Sequence, residues 1–281
     1  MLLVAEDVGA EALHELVGAL GRHSPELPVA GGHLEASAAD SLDAAVARLA
    51  DAGAARPTAV PLALSPAPHA ERALAAALAR ARQRRPEVSY AYGLPLGGHP
   101  VLLDLLERRV EEALGGGART PGDRAGVTVL LVGPGATDPE ANAEVHRVAR
   151  LLWEGRGFAG VEPAFVSPAA PDVPSGLDRC VRLGARRIVV LPYVLLDGPL
   201  PGRVRAQAEG WAEAHPEAEV RVADVIGPDP ALLDLLVRRH HETVAGDTAP
   251  GAADTAVTAH RAHGSGGELP LPHQDGHVQT H

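Results

Sequence analysis

The first half of this sequence recurs in the second half. Residues 96–109 and 226–239 both read apolar-Gly-x-x-Pro-x-Leu-Leu-Asp-Leu-Leu-x-Arg-Arg, 130 positions apart. Two more pairs of segments match in the same order, namely 85–87 with 215–217 and 53–61 with 184–192. Self-similarity at a nearly fixed spacing is the signature of a duplicated structural unit. The chain is therefore predicted to fold as two copies of one domain.

Each copy alternates short apolar runs with amphipathic stretches. The candidate strands are residues 1–5, 27–34, 57–63 and 87–92 in the first copy and 127–132, 160–166, 186–193 and 218–223 in the second. The runs 129–132 and 188–191 are apolar without alternation, which is typical of parallel strands that helices cover on both faces. Four β–α units per copy predict an α/β fold of two similar domains. Each would be a four-stranded parallel sheet flanked by helices, and the two would face each other across a cleft.

The boundaries of these units follow from where the periodic pattern stops. The N-terminal repeat is predicted at residues 1–117 and the C-terminal repeat at 126–244, joined by a glycine-rich linker from Gly115 to Asp123. Pro100 and Pro230 suit the first turn of a helix, and Asp229 suits the N-cap before it. Gly, Thr, Ala, Pro and His dominate residues 245–281 without periodicity, so we expect this tail to be disordered.

Composition excludes several classes of partner. A net charge of -11 and an aromatic content of 2% argue against nucleic acid, which needs cationic surfaces and aromatic stacking. The chain shows neither a signal peptide nor an apolar stretch of the roughly 18 residues that a membrane span needs. Cys180 is the only cysteine, so no intramolecular disulfide is possible. We expect a soluble cytoplasmic protein that is a monomer with an internal pseudo-dimer.

Three side chains stand where a ligand would bind. In open parallel sheets, ligands bind beyond the carboxyl ends of the strands. In the first copy this rule selects Glu35 after the second strand, His69 after the third, and His33 at the end of the second. His33 and Glu35 are two residues apart, so on a strand their side chains share one face. Carboxylate and imidazole together suit a divalent cobalt, iron or nickel ion, and also proton abstraction near neutral pH.

Plainer interpretations of the same residues stay open. His69 could be a solvated loop histidine, Glu35 an acid favoured by a helix dipole, and His33 a half-buried histidine with a satisfied ring. The arginines at strand ends could bind substrate carboxylates or lie on solvated helix faces; they are Arg72, Arg203 and Arg205. The segment Gly133-Pro-Gly135 follows a strand but does not complete a phosphate-binding glycine motif.

Several stretches together carry a family resemblance. They are Leu130–Gly133, Thr137–Glu144 (Thr-Asp-Pro-Glu-Ala-Asn-Ala-Glu), Ala185–Tyr193, and Pro61–Leu64 with His69. With these residues the chain resembles the long, duplicated form of sirohydrochlorin chelatase, which inserts cobalt or iron in cobalamin and sirohaem synthesis. The resemblance covers residues 1–243. It implies three site elements per copy: a His-Gly-Ser/Thr-Arg loop after the first strand, a Glu after the second, and a Gly-His after the third. By position, Glu35 and His69 match the last two, with Pro68 in place of the glycine.

The chain also departs from the family pattern. In the first copy Ala5 is followed directly by Glu6 and Asp7, so the first-strand histidine loop is missing. The repeat spacing changes from 128 at Leu2 to 132 at His14, which implies a deletion of about four residues there. In the second copy the three site positions hold other residues, Pro134, Ser167 and Leu200. We therefore expect the second copy to be structural, supplying at most Arg203 or Arg205 to substrate carboxylates.

The resemblance implies insertion of a divalent metal into an anionic, sirohydrochlorin-like tetrapyrrole. Cobalt or iron is expected, nickel is a further candidate, and no cofactor beyond that substrate metal is implied. His69 would be the metal ligand or base, Glu35 its partner, and His33 a hypothetical compensating ligand. The alternative is a catalytically impaired relative that binds a tetrapyrrole or a metal. A weaker hypothesis assigns metal binding to the tail histidines 260, 263, 273, 277 and 281, although such a dispersed pattern favours a solvated tail.

Overall fold

The secondary structure alternates strand and helix in both halves of the chain. The computed structural model describes residues 1–5, 8–34, 41–54, 56–64, 75–76, 78–80, 82–84, 86, 91–93, 95–116 and 121–247. The first half contains β1 (Leu2–Ala5), α1 (Ala10–His23), β2 (Ala30–His33), α2 (Leu42–Asp51), β3 (Thr58–Pro61), β4 (Ala91–Tyr92) and α3 (Pro100–Ala113). The second half contains α4 (Pro121–Ala125), β5 (Val127–Gly133), α5 (Pro139–Trp153), β6 (Gly160–Phe165), α6 (Val173–Arg182), β7 (Arg187–Pro192), α7 (Pro199–Ala214), β8 (Glu219–Val222) and α8 (Pro230–Asp247).

The strands form two sheets with the same topology. The first sheet has the order β2-β1-β3-β4 and the second has the order β6-β5-β7-β8, and all neighbouring strands are parallel. The central strand β5 is buried along its whole length, which explains its uninterrupted run of apolar residues. The predicted fold class, a duplicated α/β protein with four-stranded parallel sheets, is confirmed.

The pairing registers of the two sheets align the repeats residue by residue. Leu2 pairs with Ala30 and Ala59, and Leu130 pairs with Glu162 and Val190. The spacing between equivalent residues is therefore 128 on the first strand, 132 on the second and 131 on the third. Backbone hydrogen bonds extend this correspondence beyond the strand ends, because Leu34 donates to Ala5 just as Val166 donates to Gly133, both at 3.1 Å. Structurally, the position after Leu34 thus corresponds to Ser167.

The first helices locate the deletion between the repeats. The residues that α1 buries are Leu13, Leu16 and Leu20, and their equivalents 132 positions later are Val145, Val148 and Leu152, which α5 buries. Since the spacing is 128 on β1 and 132 in these helices, the four missing residues lie between Ala5 and the buried face of α1. The predicted deletion in the first-strand loop is confirmed.

The two repeats share one core. Helix α3 of the first repeat packs on β7 and α5 of the second. Conversely, α8 of the second repeat contacts α1 of the first, where Asp234 accepts a hydrogen bond from the His23 ring at 2.8 Å. One apolar cluster includes residues of both repeats, among them Leu3, Leu16, Leu105, Leu191 and Leu235. Residues 1–244 accordingly form one compact unit. The boundaries 1–117 and 126–244 stay a prediction about the duplicated copies.

The structure confirms the predicted helix starts and places a short helix at the end of the predicted linker. Pro100 and Pro230 are the first residues of α3 and α8, and the Asp229 carboxylate accepts from the Ala231 N–H at 3.0 Å, as predicted for an N-cap. The last three residues of the predicted linker, 121–123, begin the short helix α4. Proline is tolerated in a first helical turn, and Arg124 in this short helix pairs with Glu107 of α3.

The remaining expectations about the whole chain concern membranes and the tail. Among the helices that the structure describes, none is long and apolar enough to cross a bilayer. Residues 248–281, with the five tail histidines, lie outside the described residues. The predictions of a disordered tail and of tail metal binding therefore stay predictions.

Candidate functional site

His33 is the one predicted site residue of the first repeat whose position is described. It is the last residue of β2, paired in register with Ala5 at the end of β1. Its ring is half-buried, and its Nε2 atom is buried without a hydrogen-bond partner among the described residues. A buried nitrogen without a partner costs about 1–3 kcal/mol. The described residues thus do not supply the partner that the plainer interpretation of His33 assumed.

The second repeat has a different residue at this position. Phe165 is the equivalent of His33, and its side chain is 1% exposed in the apolar core. It lies beside the His146 ring, with the ring centroids 6.0 Å apart. The first repeat therefore places an imidazole where the second repeat buries a phenyl ring. An imidazole at the carboxyl edge of a parallel sheet can bind a divalent metal.

The corresponding strand ends of the second repeat are closed by backbone contacts. The Ser167 N–H donates to the Pro134 carbonyl at 3.2 Å. Gly135 has a φ of +83°, and a Cβ atom there would lie 2.9 Å from the Ser167 carbonyl oxygen. These contacts bring the backbone of the first-strand loop against the backbone at the end of the second strand. Among the residues that the structure describes, no group of three His, Cys, Asp or Glu side chains could hold a metal.

Asn142 holds the closed loop of the second repeat. Its side-chain oxygen accepts from the Ala136 N–H at 2.9 Å, and its side-chain nitrogen donates to the Ala136 carbonyl at 2.8 Å. By the spacing of 132 residues, the first repeat has Ala10 at this position, the first residue of α1. The first repeat therefore has a shorter loop and also lacks an amide side chain at the position that holds the loop in the second repeat.

The shortened loop of the first repeat is tied to the second repeat instead. The Gly9 N–H donates to the Asp197 carbonyl at 3.1 Å. Asp197 lies between β7 and α7, in the third-strand loop of the second repeat. The loop after the first strand of the first repeat thus contacts the loop after the third strand of the second repeat.

Three polar residues that the sequence analysis did not select also lie at this junction. The Tyr193 hydroxyl, directly after β7, donates to the Leu64 carbonyl of the first repeat at 3.3 Å. Glu144 accepts two hydrogen bonds from Arg147, from Nε at 2.7 Å and from Nη2 at 2.6 Å. Burial, with the Glu144 carboxylate as a second cause, raises the pKa of Tyr193 well above its usual value. We call Tyr193, Glu144 and Arg147 the Tyr193 cluster.

The predicted arginines differ in their surroundings. Arg205 pairs with Asp224 at 3.4 Å and with Glu209 at 3.9 Å, both on the surface. Arg203, near the start of α7, is exposed. Glu35, His69 and Arg72 lie outside the described residues, so their expected proximity stays a prediction.

A sizeable cavity lies at the opposite end of the second sheet. It has a volume of about 590 Å³ and is lined by residues that include Trp153, Gly160 and Leu183. These residues surround the amino ends of β5, β6 and β7. Ligands of open parallel sheets bind at the carboxyl ends, so we place the candidate site there and not in this cavity.

The fold and the strand-end residues define a class of protein, the tandem parallel α/β proteins whose two sheets share one core. The solved structure of SirB from Bacillus subtilis with Fe3+ has this fold, with a TM-score of 0.69 and 23% identity. The match covers 88% of this chain and 95% of SirB. At this identity the likeness shows the fold alone.

The chain belongs to the CbiX family, whose model matches it twice, at residues 6–113 and 128–243. It is 35% identical over 188 residues to the sirohydrochlorin cobaltochelatase of Priestia megaterium, covering 67% of this chain and 60% of that relative. It is 26% identical over 211 residues to the sirohydrochlorin ferrochelatase of Bacillus subtilis, covering 75% of this chain and 77% of that relative. The chain thus spans about three-fifths of the Priestia protein. The resemblance to sirohydrochlorin chelatases is confirmed.

Proposed function

We propose that this protein inserts a divalent metal, cobalt or iron, into sirohydrochlorin or a closely similar tetrapyrrole. Relatives named for both metals support the reaction class. The observation that carries the proposal is the asymmetry of the strand ends. The first repeat has the His33 imidazole, with a buried Nε2 that lacks a partner among the described residues. In the second repeat, Phe165 and the contact of Ser167 with Pro134 fill the equivalent space.

Metal insertion makes three demands on the protein. It must hold the ion, orient the macrocycle, and accept the two protons that leave the pyrrole nitrogens. Neutral His69 would ligate the incoming ion or accept a proton. The Glu35 carboxylate would stabilise the resulting cation or relay the proton. The metal is a substrate here, so the proposal needs no cofactor.

His33 would complete a site that has lost a ligand. Protein sites for catalytic metals commonly use about three protein ligands, and the deletion after β1 has removed the histidine loop of the first repeat. His33 lies two residues before Glu35, and its Nε2 atom has no hydrogen-bond partner among the described residues. We therefore propose His33, Glu35 and His69 as the ligand set.

The tetrapyrrole would be held by local positive charge. The chain has a net charge of -11, so attraction of an anionic substrate cannot come from the protein as a whole and must come from individual cations. Arg203 is exposed near the start of α7, and Arg72 is its equivalent in the first repeat by the spacing of 131. We propose that these two arginines bind substrate carboxylates. Because each chain supplies both repeats, we also propose that it works as a monomer.

The proposal is tested by following the absorbance spectrum of sirohydrochlorin mixed with Co²⁺, with and without the full chain. We expect the wild-type chain to accelerate insertion over the uncatalysed rate and His69→Ala to abolish that acceleration. Ser167→Ala, at the equivalent of Glu35 in the second repeat, is the matched control and should retain the wild-type rate. A wild-type rate equal to the protein-free rate would overturn the proposal.

A non-catalytic function is the second candidate, and the missing first-strand loop favours it. Gly9 now contacts Asp197 where the family places a histidine loop, so catalysis could have been lost while binding persisted. A protein of this kind would shift the tetrapyrrole spectrum on mixing without forming metallated product. The same absorbance experiment distinguishes the two functions.

A further inference from the structure

We infer that the second repeat positions the metal-insertion site of the first repeat through the Tyr193 cluster. Tyr193 would fix the point at which the chain leaves β3 on its way to His69, and Glu144 with Arg147 would hold the supporting helix in place. The inference rests on the proposed function. It assigns a role to a repeat whose described residues include no group of three His, Cys, Asp or Glu side chains that could hold a metal.

The central contact joins residues 129 positions apart in the sequence. The Tyr193 hydroxyl donates to the Leu64 carbonyl at 3.3 Å, and this hydrogen bond is buried. Leu64 precedes Ser65 and lies five positions before His69. The equivalent carbonyl in the second repeat, Leu195, accepts from the Gly227 N–H of its own repeat at 2.8 Å. The first repeat therefore has a bond from the other repeat where the second repeat has an internal backbone bond.

The phenol is suited to a constant donor role. Tyr193 is 1% exposed, and a phenol is protonated throughout the physiological range even before burial raises its pKa. A buried hydroxyl without an acceptor would carry a desolvation cost, so the bond to Leu64 is favoured over an open arrangement. The contact is thus a fixed anchor and not a titrating switch.

Glu144 and Arg147 extend the anchor to a second loop of the first repeat. Arg147 lies against Gly98, where a Cβ atom would come within 2.7 Å of the Arg147 Nη2 atom. Gly98 is in the turn that starts α3. Glu144, with a side chain 14% exposed, holds Arg147 in this position through its two hydrogen bonds. Helix α5 therefore packs against the first repeat at the start of α3.

The duplication provides an internal comparison. The positions equivalent to Tyr193, Glu144, Arg147 and Gly98 on the opposite side of the pseudo-dimer are Leu62, Ala12, Glu15 and Pro228. Neither leucine nor alanine can form a polar contact with its side chain. Pro228 has a side chain where Gly98 leaves space for Arg147. At these equivalent positions the cluster is thus found only on the side that faces the repeat with His33, Glu35 and His69.

Tyr193→Phe tests the inference because it removes the hydroxyl and keeps the ring in its packing. We expect Co²⁺ binding to the full chain to weaken roughly three- to tenfold, as for the loss of one buried hydrogen bond. The kcat for insertion should fall by a similar factor, with KM for the tetrapyrrole unchanged. In a His69→Ala background, Tyr193→Phe should have no further effect on Co²⁺ binding, because the positioned ligand is absent.

Hydrogen exchange of the segment after β3 gives a readout that does not depend on activity. Tyr193→Phe should accelerate exchange of the backbone amides of residues 62–64 while α1 and β5 exchange as in the wild type. Glu15→Gln, at the exposed position equivalent to Arg147, is the matched control and should change neither exchange nor Co²⁺ binding. Unchanged exchange in residues 62–64, or an equal loss of Co²⁺ binding with and without His69, would overturn the inference. A wild-type chain that fails to insert metal would refute the proposed function. The measurements of hydrogen exchange and of Co²⁺ binding would still decide the inference about the Tyr193 cluster.

Discussion

Arg108 of α3 pairs with Asp229, the N-cap of α8, at 2.7 Å. The duplication places Arg238 and His99 at the two equivalent positions, so the second pair has an imidazole in place of a carboxylate. Burial, followed by the charges of Arg239 and Arg238, lowers the pKa of His99. The Arg108–Asp229 contact between α3 and the start of α8 is therefore electrostatically favourable. The equivalent contact between Arg238 of α8 and His99 at the start of α3 is not.

His99→Asp should make the contact with Arg238 electrostatically favourable. The carboxylate would pair with Arg238 as Asp229 pairs with Arg108, and we expect stability at pH 7 to rise by about 0.5–1 kcal/mol, the size of a partly exposed ion pair. Denaturant unfolding measures this difference. A variant no more stable than the wild type would show that the Arg238 contact is not equivalent to the contact of Arg108 with Asp229.

Acid should destabilise the wild-type protein through the partly buried His240. Burial lowers the pKa of His240 to about 4, and its Nδ1 atom is buried without a hydrogen-bond partner among the described residues. The unfolded chain binds this proton near pH 6.5 and the folded chain does not, so stability is present above pH 6.5 and is lost as the pH falls toward 4. Unfolding curves at pH 7 and pH 5 measure the loss. His240→Leu should reduce it, and an unchanged pH dependence in that variant would contradict the assignment.

The closed loop of the second repeat should not tolerate a side chain at Gly135. Gly135→Ala would combine a φ of +83° with a Cβ 2.9 Å from the Ser167 carbonyl, and we expect a loss of about 1–3 kcal/mol. Gly210→Ala is the matched control. It lies within α7 with no atom within 4 Å of its added Cβ, so it should be neutral or stabilising by up to about 1 kcal/mol. Equal Tm values for the two variants would mean that the loop is not closed as described.

Substituting His33 by the residue of the other repeat should separate stability from function. His33→Phe removes a buried nitrogen that has no partner among the described residues, and we expect a gain of about 1–3 kcal/mol in the free energy of unfolding. Co²⁺ binding should weaken because one proposed ligand is lost. His23→Gln, on the surface pair with Asp234, is the control and should alter neither property by much. Unchanged Co²⁺ binding in His33→Phe would remove His33 from the ligand set.

The sequence predicted the elements that local patterns determine. Apolar runs such as Val127–Gly133 identified strands, and the repeat spacing located the deletion after Ala5, because both depend only on neighbouring residues or on the comparison of the two copies. Helix α4 was missed because glycines 115–117 dominated the interpretation of that segment. The Tyr193 contact with Leu64 could not be predicted, since it joins residues 129 positions apart through the packing of one repeat on the other. Tyr193 and Glu144 do end two of the family-like stretches, which is the signal that could have selected them.

The central claim is that the first repeat alone contains the metal-insertion site. It is tested most directly by giving the first repeat the residues of the second, in the triple variant His33→Phe, Glu35→Ser and His69→Leu, and measuring Co²⁺ insertion into sirohydrochlorin. The paired control is Ser167→Ala with Leu200→Ala in the second repeat. We predict that the triple variant inserts metal no faster than the protein-free reaction and that the control keeps the wild-type rate. A triple variant with the wild-type rate would contradict the claim.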